Sequence, residues 1–319
     1  MKILASAQEN SVDCAIREIR ENFNISNLEK LAKGVFVFET DDVLKNFRPI
    51  FVRYLLPISV EKTIKEFNAK DLFKNISKDD IFVLHLSILD ESIEKDNILA
   101  NCLNYFRENN ITINPKKADK IIGLVVFANK VYFGISTIKD SLSSWALGEC
   151  RYKYEENQIS RAEFKLLEAF EYFDIDVSKY KTALDLGAAP GGWSRVLLNK
   201  GLNVVAVDPA ELDVSLIENK KLRHYKGLSQ DFFRKCKNTY DVIVNDMKMD
   251  SKKSIEITTE ATKYLNKNGV VIMTLKLNPN REYDEVKECI EIIKNKFEII
   301  GIHQLFHNRS EVTVSFKIL

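Results

Sequence analysis

Residues 184–198 read LDLGAAPGGWSRVLL. An apolar run over 182–187 leads into the stretch, and an amphipathic run leaves it toward Gly201. Between them stand Gly187, Pro190, Gly191 and Gly192. A short apolar strand that ends in a glycine-rich loop and opens into a helix lets backbone approach a ligand at the carboxyl edge of an α/β sheet. The spacing is not that of GxGxxG dinucleotide binders, and no GK[ST] follows to make a phosphate-cradling loop. The plainer alternative is a tight strand-to-helix turn with no ligand.

Working outward, NVVAVD (203–208), YDVIVND (240–246) and GVVIMTLKL (269–277) read as further buried strands. Helices are expected around 255–265 and over 282–295. Fully apolar strands alternating with helices predict a parallel sheet covered on both faces. The last two runs, 297–306 and 311–319, are joined by the turn-like HNRS and predict an antiparallel strand at the end of that sheet.

The front half also mixes strands and helices. Strand-like runs at 1–7 and 34–41 flank a helix-like 11–23. Then come IFVLHLSIL (81–89), a helix over 97–110, and IIGLVVFANKVYFGIS (121–136), with ANK where a hairpin turn belongs. Residues 148–160 are polar without periodicity and read as a linker, and the stretch around Trp145 is expected to pack the two halves together. The expected division is a small ferredoxin-like α+β region (1–59), a second region (60–147), the linker (148–160) and the α/β domain (161–319).

Composition narrows the function. With 319 residues, 45% of them hydrophobic, the chain can bury the cores of two domains. Lys+Arg 47 against Asp+Glu 46 leaves +1, so nucleic acid would have to meet local patches rather than a global field. The five cysteines form no CxxC pair and the four histidines show no metal-ligand spacing. Neither a disulfide framework nor a metal site is expected. His303 and His307 are four apart, but they fall in a strand-like run. With no signal peptide and no run of membrane-spanning length, the expectation is a soluble cytoplasmic protein with no membrane partner.

Three aspartates fall at or near strand ends. Asp208 can accept hydrogen bonds from both hydroxyls of a ribose. Asp231 suits an adenine amine, although it also reads as a solvated helix N-cap. Asp246 closes VIVND. Ribose, adenine and a cationic centre without a phosphate clamp describe S-adenosylmethionine better than NAD or ATP.

The series SRAEFKLLEAF, LDLGAAPGGWS, VVAVD, NDM and LK resembles the FtsJ class of RNA ribose 2′-O-methyltransferases. LKLNPNREYDEV and QLFHNRSEVTV are more similar still to its RlmM branch, which methylates a cytidine ribose in large-subunit ribosomal RNA. The resemblance covers 160 to about 314. It implies a Rossmann-like class I methyltransferase domain with a mostly parallel seven-stranded sheet. It also implies S-adenosylmethionine as cofactor, and ribosomal RNA or a pre-ribosomal particle as partner. The family's Lys-Asp-Lys-Glu tetrad falls on Lys165, Asp246, Lys276 and Glu311. Its cofactor contacts fall on the loop (Gly187, Ala189, Pro190, Gly191, Gly192, Trp193) and on Asp208, Asp231 and Asp246.

The residues themselves support this chemistry. A ribose hydroxyl must lose its proton as it attacks a sulfonium methyl group, and a positioned base helps. A lysine serves as base only if its pKa falls from about 10.4. A second lysine and burial lower it, while Asp246 and Glu311 act the other way. Taken singly, Lys165 also reads as a solvated helix lysine and Glu311 as an exposed strand residue. Lys276 is less ordinary, because it interrupts an apolar strand.

Asn245-Asp246-Met247-Lys248 lacks the Pro-Pro-aromatic loop of exocyclic-amine methylases, and no cysteine nucleophile for C5-methylation sits at a motif strand end. Met247-Lys248 also departs from the Ala-Pro usual in FtsJ, so FtsJ's own target does not transfer directly. Other readings stay open: an enzyme of the same fold acting on tRNA or a base, or a non-catalytic RNA-binding protein.

Residues 110–148 resemble the end of a THUMP domain, an RNA-binding module, and the resemblance covers about 60–138. Lys116, Lys117 and Lys120 would then form a basic patch for phosphates, and Arg151 and Lys153 could also meet RNA. The alternative is a solvated charged loop.

Overall fold

The computed structural model describes residues 1–90 and 92–319. The chain packs as two compact units, Met1–Cys150 and Arg151–Leu319.

The first unit holds two sheets. β1 (Lys2–Ala7), α1 (Val12–Asn22), β2 (Ile25–Lys30), β3 (Val35–Thr40) and β4 (Val52–Ile58) build an antiparallel sheet in the order β2-β3-β1-β4. β2 was not legible in the sequence, because the half-exposed edge strand carries no alternation of apolar residues. β5 (Val60–Thr63), α2 (Ala69–Phe73), β6 (Ile81–Ile88), α3 (Lys95–Glu108), β7 (Thr112–Ile113), β8 (Lys120–Phe127) and β9 (Lys130–Thr137) complete it, with sheet order β5-β9-β8-β6-β7. The β8–β9 turn is Ala128-Asn129, both at positive φ (45° and 68°), the mirror-image turn whose twist suits a two-residue hairpin. Gly134 lets the second sheet meet the first, since a Cβ there would stand 1.9 Å from the Pro57 carbonyl oxygen. The segment after β9 is anchored within this unit. Ser6 Oγ donates to the Leu147 carbonyl at 2.6 Å, and His85 Nε2 lies 2.9 Å from the Ser144 carbonyl.

The second unit is an α/β layer structure. Its elements are α4 (Glu163–Tyr172), β10 (Thr182–Leu186), α5 (Gly192–Asn199), β11 (Asn203–Asp208), α6 (Val214–Ile217), β12 (Leu222–Lys226) and α7 (Ser229–Lys235). β13 (Tyr240–Asn245), α8 (Ser251–Ala261), β14 (Leu265–Lys276), α9 (Glu282–Lys294), β15 (Phe297–His303) and β16 (Glu311–Ile318) follow. The seven strands run β12-β11-β10-β13-β14-β16-β15. The first five are parallel, as the apolar runs predict. The antiparallel strand is placed differently from the expectation. β16 does not end the sheet but inserts between β14 and β15, antiparallel to both. The helix expected near 255–265 also starts earlier, at Ser251, and β14 begins already at Leu265.

The core of this unit joins α4 and α5 to the sheet through Leu166, Phe170, Trp193, Leu197, Val242, Val244 and Ile272. Part of the expected linker belongs to it. Gln158 is buried, and Glu163 Oε1 accepts the backbone N–H groups of Ile159 and Ser160, closing the start of α4. Among the described residues, no helix is long and apolar enough to cross a membrane, and no His/Cys/Asp/Glu group could hold a metal ion.

Candidate active site

The sheet order reverses at β10: the chain first moves outward to β11 and β12, then returns to β13 on the other side. Such a switch point opens a crevice at the carboxyl ends of the strands, and the glycine loop lies there. Gly187 (φ +71°) and Gly191 (φ +112°, the N-cap of α5) occupy left-handed backbone that favours glycine. Space demands it too: a Cβ at Gly187 would lie 2.3 Å from Met247 Cγ, and one at Gly192 2.3 Å from Ser160 Oγ. Asp208, at the end of β11, braces the loop by accepting the Ala189 N–H (3.1 Å), and its other oxygen accepts the Ala210 N–H (2.7 Å). The Pro190 carbonyl accepts the Asp213 N–H at 2.8 Å.

Trp193 serves the fold with its side chain. It is buried, and its indole N–H donates to the Ala162 carbonyl at 2.7 Å, tying α5 to the start of α4. Only its backbone N–H, in the first turn of α5, is left to face a ligand. Asp231 is in the first turn of α7 but is not its cap, which is Leu228; it is half-exposed and paired with Arg234 at 3.1 Å.

The four tetrad positions come together. Asp246 follows β13, Lys276 ends β14, and Glu311 opens β16 directly across from Lys276 in the strand register. Lys165 reaches in from α4. Its Nζ is 3.0 Å from Asp246 Oδ2 and 2.7 Å from Glu311 Oε1. Lys276 Nζ is 2.5 Å from Asp246 Oδ1 and also contacts Glu311 Oε2. Each ammonium thus bridges both carboxylates, and all four side chains are largely buried.

Electrostatics follow from this alternation. Burial works to raise the Asp246 carboxyl, but the ammonium groups of Lys276 and Lys165 outweigh it and hold the carboxyl below its usual range. Burial works to lower the Lys165 amine, but Asp246 and Glu311 outweigh it and hold the amine above the ordinary lysine value. The balance that composition leaves open therefore falls toward a charged Lys165, because the carboxylates are in direct contact.

Residues 158–313 match the family model for the FtsJ-like methyltransferases. This part of the chain is an FtsJ-like methyltransferase domain. A protein named ribosomal RNA large subunit methyltransferase M from Pectobacterium atrosepticum is 29% identical, with 66% of this chain and 61% of that protein covered. A protein of the same name from Pseudomonas savastanoi is 30% identical, with 60% and 56% covered. The chain thus spans less than two thirds of the length of these relatives. Among solved structures, a Methanococcus jannaschii fibrillarin pre-rRNA processing protein aligns with a TM-score of 0.41 and 15% identity over 62% of this chain and 82% of its own. That likeness is too loose to bear on fold or function.

The FtsJ-like domain holds polar residues that motif reading misses. Asp185, in β10, is buried and accepts Ser194 Oγ–H at 2.7 Å, and burial pushes its carboxyl up to about 7. Its sequence signal is an acid inside an apolar strand, the same signal that marks Lys276. Thr274 Oγ donates to Asp246 Oδ1 at 2.6 Å and accepts from Lys276 Nζ at 2.8 Å. Asn308 takes Thr313 Oγ–H (3.1 Å), and its amide lies 3.5 Å from Glu311 Oε1. A threonine in a β-strand gives no such signal.

The basic residues singled out for RNA are divided between the two units. Lys116 and Lys117 are exposed on the turn after β7, in the first unit, and Lys120 is paired with Asp80 at 2.6 Å. Arg151 and Lys153 are exposed in the coil that opens the second unit.

Proposed function

We propose that this protein transfers a methyl group from S-adenosylmethionine to a ribose 2′-hydroxyl of RNA, and that the RNA is large-subunit ribosomal RNA. The observation that carries this reading is the alternating Lys165–Asp246–Lys276–Glu311 cluster, set at the carboxyl edge beside the glycine loop. S-adenosylmethionine would supply an electrophilic methyl group on a sulfonium centre. The loop fits it. The first-turn N–H groups of Gly192 and Trp193 have no intrahelical acceptor, Asp208 can take ribose hydroxyls at its remaining lone pairs, and no phosphate clamp is needed.

The tetrad orients the attacking hydroxyl. The three N–H bonds of a Lys276 ammonium match Asp246, Glu311 and Thr274. Lys276 can therefore take the ribose proton only by passing one of its own to a carboxylate. In-line placement of the oxygen against the methyl group then carries more of the rate than proton removal does. The relatives' names support ribosomal RNA as the substrate class. The first unit, THUMP-like by resemblance, would add phosphate contacts through Lys116, Lys117 and Lys120. The work would be done in the cytoplasm, on RNA or on an assembling particle.

The test is to map ribose methylation in ribosomal RNA from a deletion strain and its parent, using the nuclease resistance of 2′-O-methylated linkages. One site should lose its methyl group. Loss of a base methyl or a tRNA methyl instead, or no change at all, would reject the reading. In the purified protein, Lys276→Ala should reduce transfer by at least about 100-fold with cofactor affinity within about twofold, as expected for a group that acts in the transition state.

A further inference from the structure

Thr274 stands two residues before Lys276 on β14, so both side chains project from the same face of the strand. It is fully buried, with Leu275 and Met273 beside it in the chain also buried. A hydroxyl in such a place is costly unless its hydrogen-bonding capacity is used. Here it is used on the tetrad. The single hydroxyl hydrogen goes to Asp246 Oδ1 at 2.6 Å, and an oxygen lone pair receives Lys276 Nζ at 2.8 Å. The same Asp246 oxygen takes Lys276 directly at 2.5 Å. Asp246, Thr274 and Lys276 therefore close a three-membered ring of hydrogen bonds.

The ring constrains rotation. Asp246 and Glu311 occupy two of the three Lys276 donors, and Thr274, the neutral acceptor, occupies the third. Two carboxylates alone leave the ammonium free to pivot between their oxygens; the hydroxyl removes that freedom. Its O–H also fixes which Asp246 oxygen faces β14; Lys165 lies 3.0 Å from the other oxygen and 3.2 Å from this one. We infer that Thr274 is a positioning residue of the methyl-transfer site, locking Lys276 and Asp246 into one mutual orientation. This rests on the reading of the tetrad given above.

The test uses the whole protein with S-adenosylmethionine and its RNA. Thr274→Val keeps the branched shape and removes the hydroxyl, leaving one ammonium hydrogen and one carboxylate lone pair unmatched. The expected result is a fall in kcat of about 10- to 100-fold with KM for RNA and for the cofactor within about twofold, and recovery of most of the rate by Thr274→Ser. A second readout needs no activity: the titration of the Asp246 carboxyl, followed by carbon NMR in the free protein. Asp246 faces the charges of Lys165 on α4 and Lys276 on β14, with the Asp185 carboxyl of β10 close enough to interact. Loss of the Thr274 hydrogen bond should move its titration to higher pH in the valine variant, and serine should restore it.

An unchanged kcat together with an unchanged Asp246 titration would overturn the inference. So would equal impairment of the valine and serine variants, which would make Thr274 a packing residue. If Thr274→Val does not fold, Thr274→Ala removes the hydroxyl without placing a methyl group against Lys276 and is read in the same way. If the wild-type protein methylates no ribose, the function proposed for the tetrad fails, while the Asp246 titration still decides the role of Thr274.

Discussion

Lys276 and Asp185 are charged or ionisable side chains inside apolar strands, and the fold treats them differently. Lys276 ends its strand, and its ammonium reaches two carboxylates and a hydroxyl. Asp185 lies in mid-strand, with Ser194 Oγ as donor. Its folded-state pKa, about 7, is above the unfolded value near 3.9. Stability tied to this group is thus fully present below about pH 4, is lost as pH rises through the interval to about 7, and changes no further above it. Asp185→Asn, which keeps an acceptor for Ser194 and cannot ionise, should flatten the fall in melting temperature between pH 4 and 7. The difference should be on the order of a few kcal/mol. Parallel melting curves for variant and wild type across that range would show that Asp185 does not set the slope.

Among the elements, the turn between β15 and β16 matters most for the site, because it delivers Glu311. Glu168 on α4 holds it. The buried carboxylate accepts the Phe306 N–H (2.7 Å) and the His307 N–H (3.0 Å), and contacts His307 Nδ1 at 2.6 Å. Glu168→Gln turns an amide N–H₂ toward those donors. It should cost about 1–3 kcal/mol of stability and lower kcat more than it raises KM for the cofactor, measured by thermal melts and initial rates. Unaltered kcat would mean that Glu311 is placed without this turn. The helix α5 and the strands on either side of the glycine loop were legible from apolar runs and from Gly201, which sits at φ +94° just past the helix. The insertion of β16 between β14 and β15 was not, because its run of buried residues is local, whereas its place in the strand order is set by which strands it pairs with.

For the molecule as a whole, near-neutral net charge leaves RNA attraction to local surfaces. Lys116 and Lys117 are exposed and are the stronger candidates for phosphate contact, while Lys120 is already neutralised by Asp80. Replacing Lys116 and Lys117 together by Ala should weaken RNA binding across sequences. It should also reduce the slope of log affinity against log salt by up to about 2, about 1 for each phosphate that is no longer neutralised. An unchanged slope would assign both lysines to a solvated turn.

The sequence by itself determined the α/β alternation, the glycine loop and the parallel part of the sheet, and through its resemblance to the FtsJ class it named the four residues proposed as the tetrad. Strand burial and backbone freedom are local and leave their mark in composition. Only the tertiary structure decided how the four residues pair, that Trp193 packs rather than presents its ring, and that Thr274 and Asn308 complete the carboxylates' hydrogen bonding. Those outcomes depend on distances of a few ångströms between residues up to 146 apart in the chain, from Lys165 to Glu311. A linear pattern does not encode separations of that kind; the register of β14 against β16 does.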